Sequence, residues 1–307
     1  MPQPQCKYLP VGGPAARGSA VRRMAYWDWA PATGSACRQV VICVHGLSRQ
    51  GRDFDALAAA LSTHARVLAV DVAGRGESDW LEDPMAYQVG TYAADLAALV
   101  QAVRAEMPDA VIDWVGTSMG GLIGMAVAAQ PAMGLRRLVL NDVGPVIQFE
   151  ALQRIGTYLG LNPSFASEQA AIDYLASISA GFGPHTPEQW WALSRPMLRE
   201  RGASWVLHYD PAIAVPFRAL TSGPDLVAAR QAVQQGEAAL WGLYDAIASP
   251  TLLLRGADSD LLTRDTATEM ARRGPRADCI EFPGVGHAPT LMAPDQIAAV
   301  QAFLGTA

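Results

Sequence analysis

A serine flanked by glycines lies at a predicted strand-to-helix junction. Residues 116–120 have the sequence Gly-Thr-Ser-Met-Gly, which matches the G-x-S-x-G pattern of a nucleophile elbow. Glycine on both sides leaves room for a sharp turn in which the serine has a strained backbone. Such a turn would expose the hydroxyl of Ser118 above the sheet edge and direct the amide of Met119 at a developing oxyanion. The predicted chemistry is nucleophilic attack by Ser118 on a carbonyl group.

A serine hydroxyl is a weak nucleophile at neutral pH, so a base must accept its proton and a third group must orient that base. The predicted base is His287, in the glycine-containing loop 284–289 between the last predicted strand and the last predicted helix. The glycines allow this loop to fold back over the sheet edge. The other histidines fit the role less well, because they lie at a strand end, at a helix end or inside a long insertion. They are His45, His64, His185 and His208.

The acid that orients the base is expected after the strand that follows the insertion. Segment 254–262 carries two aspartates there, and Asp260 is the preferred candidate for the acid. Asp258 is two residues away and can point in the same direction. Asp142, at the end of the preceding core strand, is the third candidate. The aspartates that do not take this role suit turns and helix caps.

The elements that must position these residues alternate along the chain. Continuous apolar stretches predict buried strands, and apolar residues at helical spacing predict helices between them. The predicted strands are residues 24–29, 39–44, 66–70, 110–115, 135–140, 251–255 and 279–282, and the predicted helices are residues 52–62, 91–105, 121–129, 265–273 and 294–304. This alternation indicates a mostly parallel sheet covered by helices on both faces, an α/β fold. Residues 1–20, rich in Pro and Gly, are expected to be irregular.

The alternation stops after residue 142 and resumes near residue 248. Residues 146 to about 247 have helical patterns and aromatic residues but no convincing buried strand. We therefore expect an α/β core formed by residues 1–142 and 248–307, with a helical cap inserted at residues 143–247. Trp190 and Trp191 of this insertion cannot both face the same way on a helix, so one of them is expected to face outward or toward a cleft.

Composition narrows the class of protein. The 307-residue chain is 50% apolar, which supports a large core, and its net charge of −6 gives no electrostatic footprint for nucleic acid. No apolar run is long enough for a membrane span, and the N-terminus lacks the pattern of a secretory signal. The four cysteines have no metal-type spacing, and Cys43 and Cys279 are expected in buried strands. A reduced, cytoplasmic protein without a metal site is therefore predicted.

The chain order Ser118, Asp260, His287 on successive strands resembles the α/β-hydrolase family over the whole length of the chain. In this resemblance the helical insertion takes the place of the family's cap. His-Gly-Leu-Ser at residues 45–48 resembles the family's HG loop. The resemblance implies that the amide of Leu47 joins that of Met119 in an oxyanion hole.

One further loop resembles the family, whereas the position of the acid does not. Residues 71–78, Asp-Val-Ala-Gly-Arg-Gly-Glu-Ser, resemble the D-x-x-G-x-G-x-S loop of cap-bearing members, in which structural roles are expected for Arg75 and Ser78. The acid departs from the family's pattern. Many members place it three residues after the strand-end glycine, where this chain has Ser259. Other members carry a Ser-Asp pair shifted by one, which favours Asp260.

Serine at the elbow argues against the haloalkane dehalogenases and epoxide hydrolases of this fold, which use Asp. The resemblance implies acyl transfer through an acyl-enzyme on Ser118, in a carboxylesterase-like hydrolase of small to medium esters that needs no metal or cofactor. Candidate substrate-binding residues are Trp190, Trp191 and Arg49, whose guanidinium can pair with a substrate carboxylate. The partner is a small-molecule ester, with no nucleic acid and no membrane, and the sequence leaves a homo-oligomer open.

Other functions on the same scaffold stay open. The same groups can cleave a C–C, thioester or lactone bond or catalyse perhydrolysis. A non-catalytic ligand-binding protein of this fold is a further alternative, although a receptor needs no catalytic base. The overall pattern also resembles bacterial hydrolases proposed to act on hydroxyalkanoate oligomers.

Overall fold

A computed structural model describes residues 3–13, 19–32, 37–221 and 226–305. The strands of these residues are β1 (Gln5–Gly13), β2 (Ser19–Trp29), β3 (Gln39–Val44), β4 (Arg66–Val70), β5 (Val111–Thr117), β6 (Arg137–Asn141), β7 (Ser164–Phe165), β8 (Leu198–Arg201), β9 (Ser204–Leu207), β10 (Thr251–Gly256) and β11 (Asp278–Phe282). The α-helices are α1 (Asp55–Leu61), α2 (Val89–Glu106), α3 (Met119–Ala128), α4 (Phe149–Gly156), α5 (Glu168–Ile178), α6 (Pro187–Ser194), α7 (Ala214–Thr221), α8 (Leu226–Asp245), α9 (Arg264–Met270) and α10 (Pro294–Leu304).

Eight of these strands form one sheet in the order β1-β2-β4-β3-β5-β6-β10-β11. The strands from β4 to β11 in this order are parallel, whereas β1 pairs with β2, and β2 with β4, in antiparallel fashion. The predicted α/β fold with a mostly parallel sheet is confirmed. Because parallel strands end at the same edge, the loops that follow β3, β5, β6, β10 and β11 meet there.

The continuous apolar pattern of the central strands reflects burial on both faces. Val40, Ile42 and Val44 of β3 belong to one apolar cluster together with buried residues of α2 and α3. Val41 and Cys43 of the same strand belong to the opposite cluster, together with buried residues of α1 and α10. Successive side chains of a strand alternate between faces, so both faces must be apolar when helices cover each of them.

Two expectations at the edges of the sheet are wrong. The first residues were expected to be irregular, but residues 5–13 form β1, and residues 14–18 lie outside the described ranges. Pro10 is tolerated there because β1 is an edge strand, where a missing amide donor costs little. Cys279 was expected to be buried but is exposed, because β11 is the opposite edge strand.

The segment between β6 and β10 contains α4 to α8, as the helical pattern predicts, and also a small antiparallel sheet in the order β7-β9-β8. These three strands have only two to four residues each, too few to show a clear period-two pattern in the sequence. The segment is tied to loop 71–78, where the amide of Asp210 donates to the carbonyl of Gly74 (2.8 Å) and the amide of Gly76 to that of His208 (3.2 Å). Of the helices described, none has the length and apolar character needed to span a membrane.

Candidate active site

Ser118 occupies the turn between β5 and α3 with φ +52° and ψ −117°, a conformation that residues with a side chain rarely adopt. A Cβ added at Gly116 would lie 2.3 Å from the carbonyl oxygen of Gly120. One added at Gly120 would lie 1.9 Å from the carbonyl oxygen of Val44. Both obstacles are backbone atoms, which cannot rotate away, so this turn requires glycine on each side of the serine.

The serine belongs to a chain of side-chain hydrogen bonds. Nε2 of His287 lies 3.0 Å from Oγ of Ser118, and Nδ1 lies 2.7 Å from Oδ2 of Asp142. An ionised carboxylate only accepts hydrogen bonds, so Nδ1 carries the proton donated to Asp142 and Nε2 is free to accept from the serine hydroxyl. This tautomer is the one in which an imidazole can take a proton from serine.

Asp142 follows β6 and is fully buried with φ +55°, a left-handed conformation that Asp tolerates better than most residues. Its Oδ1 accepts the amide hydrogen of Gly256 (2.9 Å), and its Oδ2 accepts from the hydroxyl of Ser259 (2.6 Å) as well as from His287. A buried carboxylate is costly unless such donors satisfy it. The structure therefore corrects the preference for Asp260 as the partner of His287.

Asp260 lies in the loop that follows β10, where it is exposed. Its carboxylate accepts two hydrogen bonds from Arg154 (2.7 and 2.9 Å), is 48% exposed and is not hydrogen-bonded to His287. Asp258 is also exposed. Between them, the hydroxyl of Ser259 accepts the amides of Leu261 (3.3 Å) and Leu262 (3.1 Å), so the turn directs position 259 inward. The sequence signal for this arrangement was the serine at the position where many family members carry the acid.

The amides predicted to form an oxyanion hole belong to Met119, which follows the nucleophile, and to Leu47, which lines the same cavity as Ser118. A Cβ added at Gly46 would be 3.7 Å from Cβ of Ser118, which puts the loop after β3 in contact with the elbow. Within the part of the chain that the structure describes, neither the amide of Leu47 nor that of Met119 has a hydrogen-bond partner. Two unpaired donors next to a nucleophile are the arrangement that stabilises an oxyanion.

His45 holds the loop that carries one of these amides. Its Nε2 accepts the amide hydrogen of Val72 (3.0 Å), so Nδ1 is the protonated nitrogen that donates to the carbonyl of Gly46 (2.7 Å). Burial lowers the pKa of His45 to about 3, and the positive charges of Arg75 and Arg49 act in the same direction. His45 is therefore neutral at physiological pH and acts as a structural residue here.

Arg75, in the loop 71–78, reaches the same region. It is fully buried, and it donates to the carbonyl of Leu47 (2.9 Å) and to the hydroxyl of Tyr92 (2.9 Å). Ser78 of that loop accepts the amide of Ala25 (2.8 Å) and donates to the carbonyl of Asp71 (2.5 Å). These contacts are structural, as expected for both residues.

A cavity of about 470 Å³ opens between the sheet edge and the segment that joins β6 to β10, with Ser118 and His287 among its lining residues. The segment supplies mainly apolar side chains. These are Ile155, Leu175, Ile178, Phe182, Leu193, Met197 and Leu207. Hydroxyl and charged groups line the same cavity, among them Ser48, Tyr158, Arg154 and Asp260. The described residues contain no cluster of His, Cys, Asp and Glu suited to hold a metal ion.

The residues predicted to bind substrate have other contacts. Arg49 lines the cavity, but its guanidinium is bonded to the carboxylate of Asp53 (2.6 and 2.7 Å) and to the carbonyl of Leu193 (2.8 Å). Trp190 stacks behind Phe182 with ring centroids 6.4 Å apart, and Trp191 is exposed and donates to Glu168. The structure places neither tryptophan at the cavity. Both tryptophans instead contact other residues of the same segment.

Comparisons with known proteins agree with this fold. The model of the Alpha/beta hydrolase family matches residues 41–300. A 3-hydroxybutyrate-oligomer hydrolase of Cupriavidus necator is 48% identical over 292 residues, 94% of each chain. The esterase Rv0045c of Mycobacterium tuberculosis is 30% identical over 253 residues, 78% of this chain and 72% of that protein. A crystal structure of an alpha/beta hydrolase from Novosphingobium aromaticivorans, 33% identical, superposes over the full length of both chains with a TM-score of 0.80.

The chain belongs to the alpha/beta hydrolase family. The predicted family and the predicted hydrolase class are confirmed.

Proposed function

We propose that this protein is a serine hydrolase that cleaves small to medium carboxylic esters through an acyl-enzyme on Ser118. The observation that carries the proposal is the unbroken chain of hydrogen bonds from Ser118 through His287 to Asp142. Ser118 and His287 line the cavity. The relatives named as an oligomer hydrolase and an esterase support ester bonds as the target.

In the proposed mechanism, Oγ of Ser118 attacks the ester carbonyl while Nε2 of His287 accepts the hydroxyl proton. Asp142 stabilises the imidazolium and keeps the ring in its tautomer. The amides of Leu47 and Met119 donate to the tetrahedral oxyanion, each worth roughly 3 kcal/mol in comparable sites. His287 then protonates the leaving alcohol, and water attacks the acyl-enzyme with His287 again as the base.

For the natural substrate we propose linear oligomers of a short hydroxyalkanoate. The 48% identity to the 3-hydroxybutyrate-oligomer hydrolase over 94% of both chains supports this class. The mixture of apolar side chains with hydroxyl and charged groups around the cavity also suits a chain that alternates short alkyl groups with esters. In this proposal residues 143–247 act as a cap that closes the cavity over the acyl chain.

The test is hydrolysis of p-nitrophenyl esters from acetate to octanoate and of the linear 3-hydroxybutyrate dimer, with Ser118→Ala as the control. We expect turnover that peaks at a short acyl length, and loss of at least about 10³-fold in the variant. The variant's thermal unfolding shows whether its fold is intact. Turnover that survives in Ser118→Ala, or no turnover of any ester by the wild type, would refute the proposal.

A further inference from the structure

Among the residues that the structure describes, two arginines line the cavity, and they are held in different ways. Arg49 and its partner Asp53 have side chains that are only 10% and 18% exposed, and a carbonyl of α6 is a third contact of Arg49. The Arg154–Asp260 pair is 43% and 48% exposed. Water screens an ion pair that is exposed to that degree, so a ligand can replace one partner at little cost. Arg154 is therefore the cavity cation that is available to an anionic ligand.

A second donor lies beside Arg154. Tyr158 lies four residues after Arg154, just past the end of α4, and lines the same cavity. The carboxylate of Asp260 and, to a lesser degree, the hydroxyl of Tyr158 raise the pKa of the Arg154 guanidinium, so both groups lie close to it. Burial raises the pKa of the Tyr158 hydroxyl, so the group stays protonated and can donate a hydrogen bond at neutral pH. A planar guanidinium next to a phenol hydroxyl matches the two oxygens of a carboxylate.

The proposed substrate supplies such a group. A linear oligomer of a hydroxy acid has a free hydroxyl at one end and a free carboxylate at the other. Resting on the proposed function, we propose that Arg154 and Tyr158 form a subsite for the terminal carboxylate of the substrate, which displaces Asp260 from Arg154. Asp260 then acts as an internal competitor: it holds Arg154 in place when the cavity is empty and weakens binding of the carboxylate. Asp258, exposed at the same cavity, opposes an anion only weakly because water screens it.

The experiment compares two substrates that differ in one charge, the linear 3-hydroxybutyrate dimer as the free acid and its methyl ester. The quantity measured is the kcat/KM for the free acid divided by the kcat/KM for the methyl ester. In Arg154→Met we expect this ratio to fall at least about tenfold, mainly through KM for the acid, because the charge-assisted hydrogen bonds are lost. In Asp260→Asn we expect the ratio to rise severalfold, because Arg154 loses its competing partner.

A matched control comes from a second exposed ion pair, which joins an arginine of α8 to a carboxylate of α4. Arg230 bonds to Glu150 of α4, with side chains 49% and 65% exposed, and neither residue lines the cavity. Arg230→Met removes a similar pair without touching the subsite, so its ratio should equal that of the wild type. Raising the ionic strength should increase KM for the acid in the wild type and have little effect in Arg154→Met.

The outcomes separate this proposal from the function on which it rests. If the methyl ester is hydrolysed but the ratio is the same in the wild type and Arg154→Met, the subsite is refuted and the esterase function stands. A ratio that falls in Asp260→Asn also refutes the subsite, because competition requires the opposite sign. If the wild type hydrolyses neither the dimer, its methyl ester nor any p-nitrophenyl ester, both proposals are refuted.

Discussion

The loops that follow β6 and β10 both present a carboxylate at the same edge of the sheet, on neighbouring strands that pair Asn141 with Leu254. Asp142 is fully buried, has a left-handed backbone and accepts hydrogen bonds from an amide, a hydroxyl and an imidazole. Asp260 is half exposed and binds an arginine of α4. The two carboxylates thus have different environments, although both follow strands that end at the same edge of the sheet.

This difference shows what a histidine-orienting carboxylate requires. A buried carboxylate is costly, and hydrogen-bond donors from its surroundings offset that cost. The loop after β10 supplies two of those donors, the amide of Gly256 and the hydroxyl of Ser259, although it does not supply the acid. The two loops therefore act as one unit, in which one holds the carboxylate and the other holds its hydrogen bonds.

Asp142→Asn should reduce activity more than any other substitution at the two loops. Asn tolerates the left-handed backbone and keeps the volume, but it removes the charge that selects the tautomer of His287. We expect kcat for p-nitrophenyl butyrate to fall by about 10³–10⁴-fold with little change in KM. Steady-state kinetics check this, with thermal unfolding as the control for folding. A loss of less than tenfold would mean that another carboxylate orients His287.

The second prediction moves the acid to the other loop. Ser259 Oγ lies 2.6 Å from Oδ2 of Asp142, so an aspartate at position 259 would bring a carboxylate to the same region. We expect Asp142→Asn combined with Ser259→Asp to recover about 10–100-fold of the lost kcat, a gain of roughly 1.4–2.7 kcal/mol in transition-state stabilisation. The two variants are measured side by side. Equal rates would show that position 259 cannot reach His287.

A smaller effect is expected from Ser259→Ala, which leaves the acid in place and removes one of its donors. A hydrogen bond to a charged group contributes about 1.5–3 kcal/mol to stability. Because Gly256 and His287 still bind the carboxylate, we expect kcat to fall only about three- to tenfold and the melting temperature to fall by a few degrees. Ser259→Cys, which keeps a weak donor, should lie between alanine and wild type. Wild-type kinetics in the alanine variant would show that this hydroxyl is dispensable.

The smallest change in kcat is expected at Asp258, the exposed aspartate that precedes Ser259. Asp258→Asn changes a side chain that water already screens, so kcat for p-nitrophenyl butyrate should stay within about twofold of the wild type. The same assay as for Asp142→Asn makes the comparison direct. A loss near that of Asp142→Asn would overturn the contrast between the two loops.

Local sequence patterns were sufficient to predict the elbow, the central strands and the loop that carries His287. The glycines around Ser118 reflect clashes within a few residues and with β3, and the strands are continuous apolar runs because helices cover both faces of the sheet. His287 could be chosen because its loop follows the last strand of a recognisable alternation. The edge strand β1 and the short strands β7 to β9 were missed, since edge pairing and two-residue strands leave no periodic signal.

The family, the fold, the elbow serine and the histidine that lies against it could all be predicted from the sequence, because each follows from residue types at short spacing or from the order of strands. The aspartate that meets the histidine could be identified only from the folded chain. Asp142 and Asp260 are 118 residues apart in the chain but follow adjacent strands, and their local sequences suit the same role. The choice depends on which carboxylate is enclosed by donors from the other loop, and that enclosure exists only when the two strands are paired.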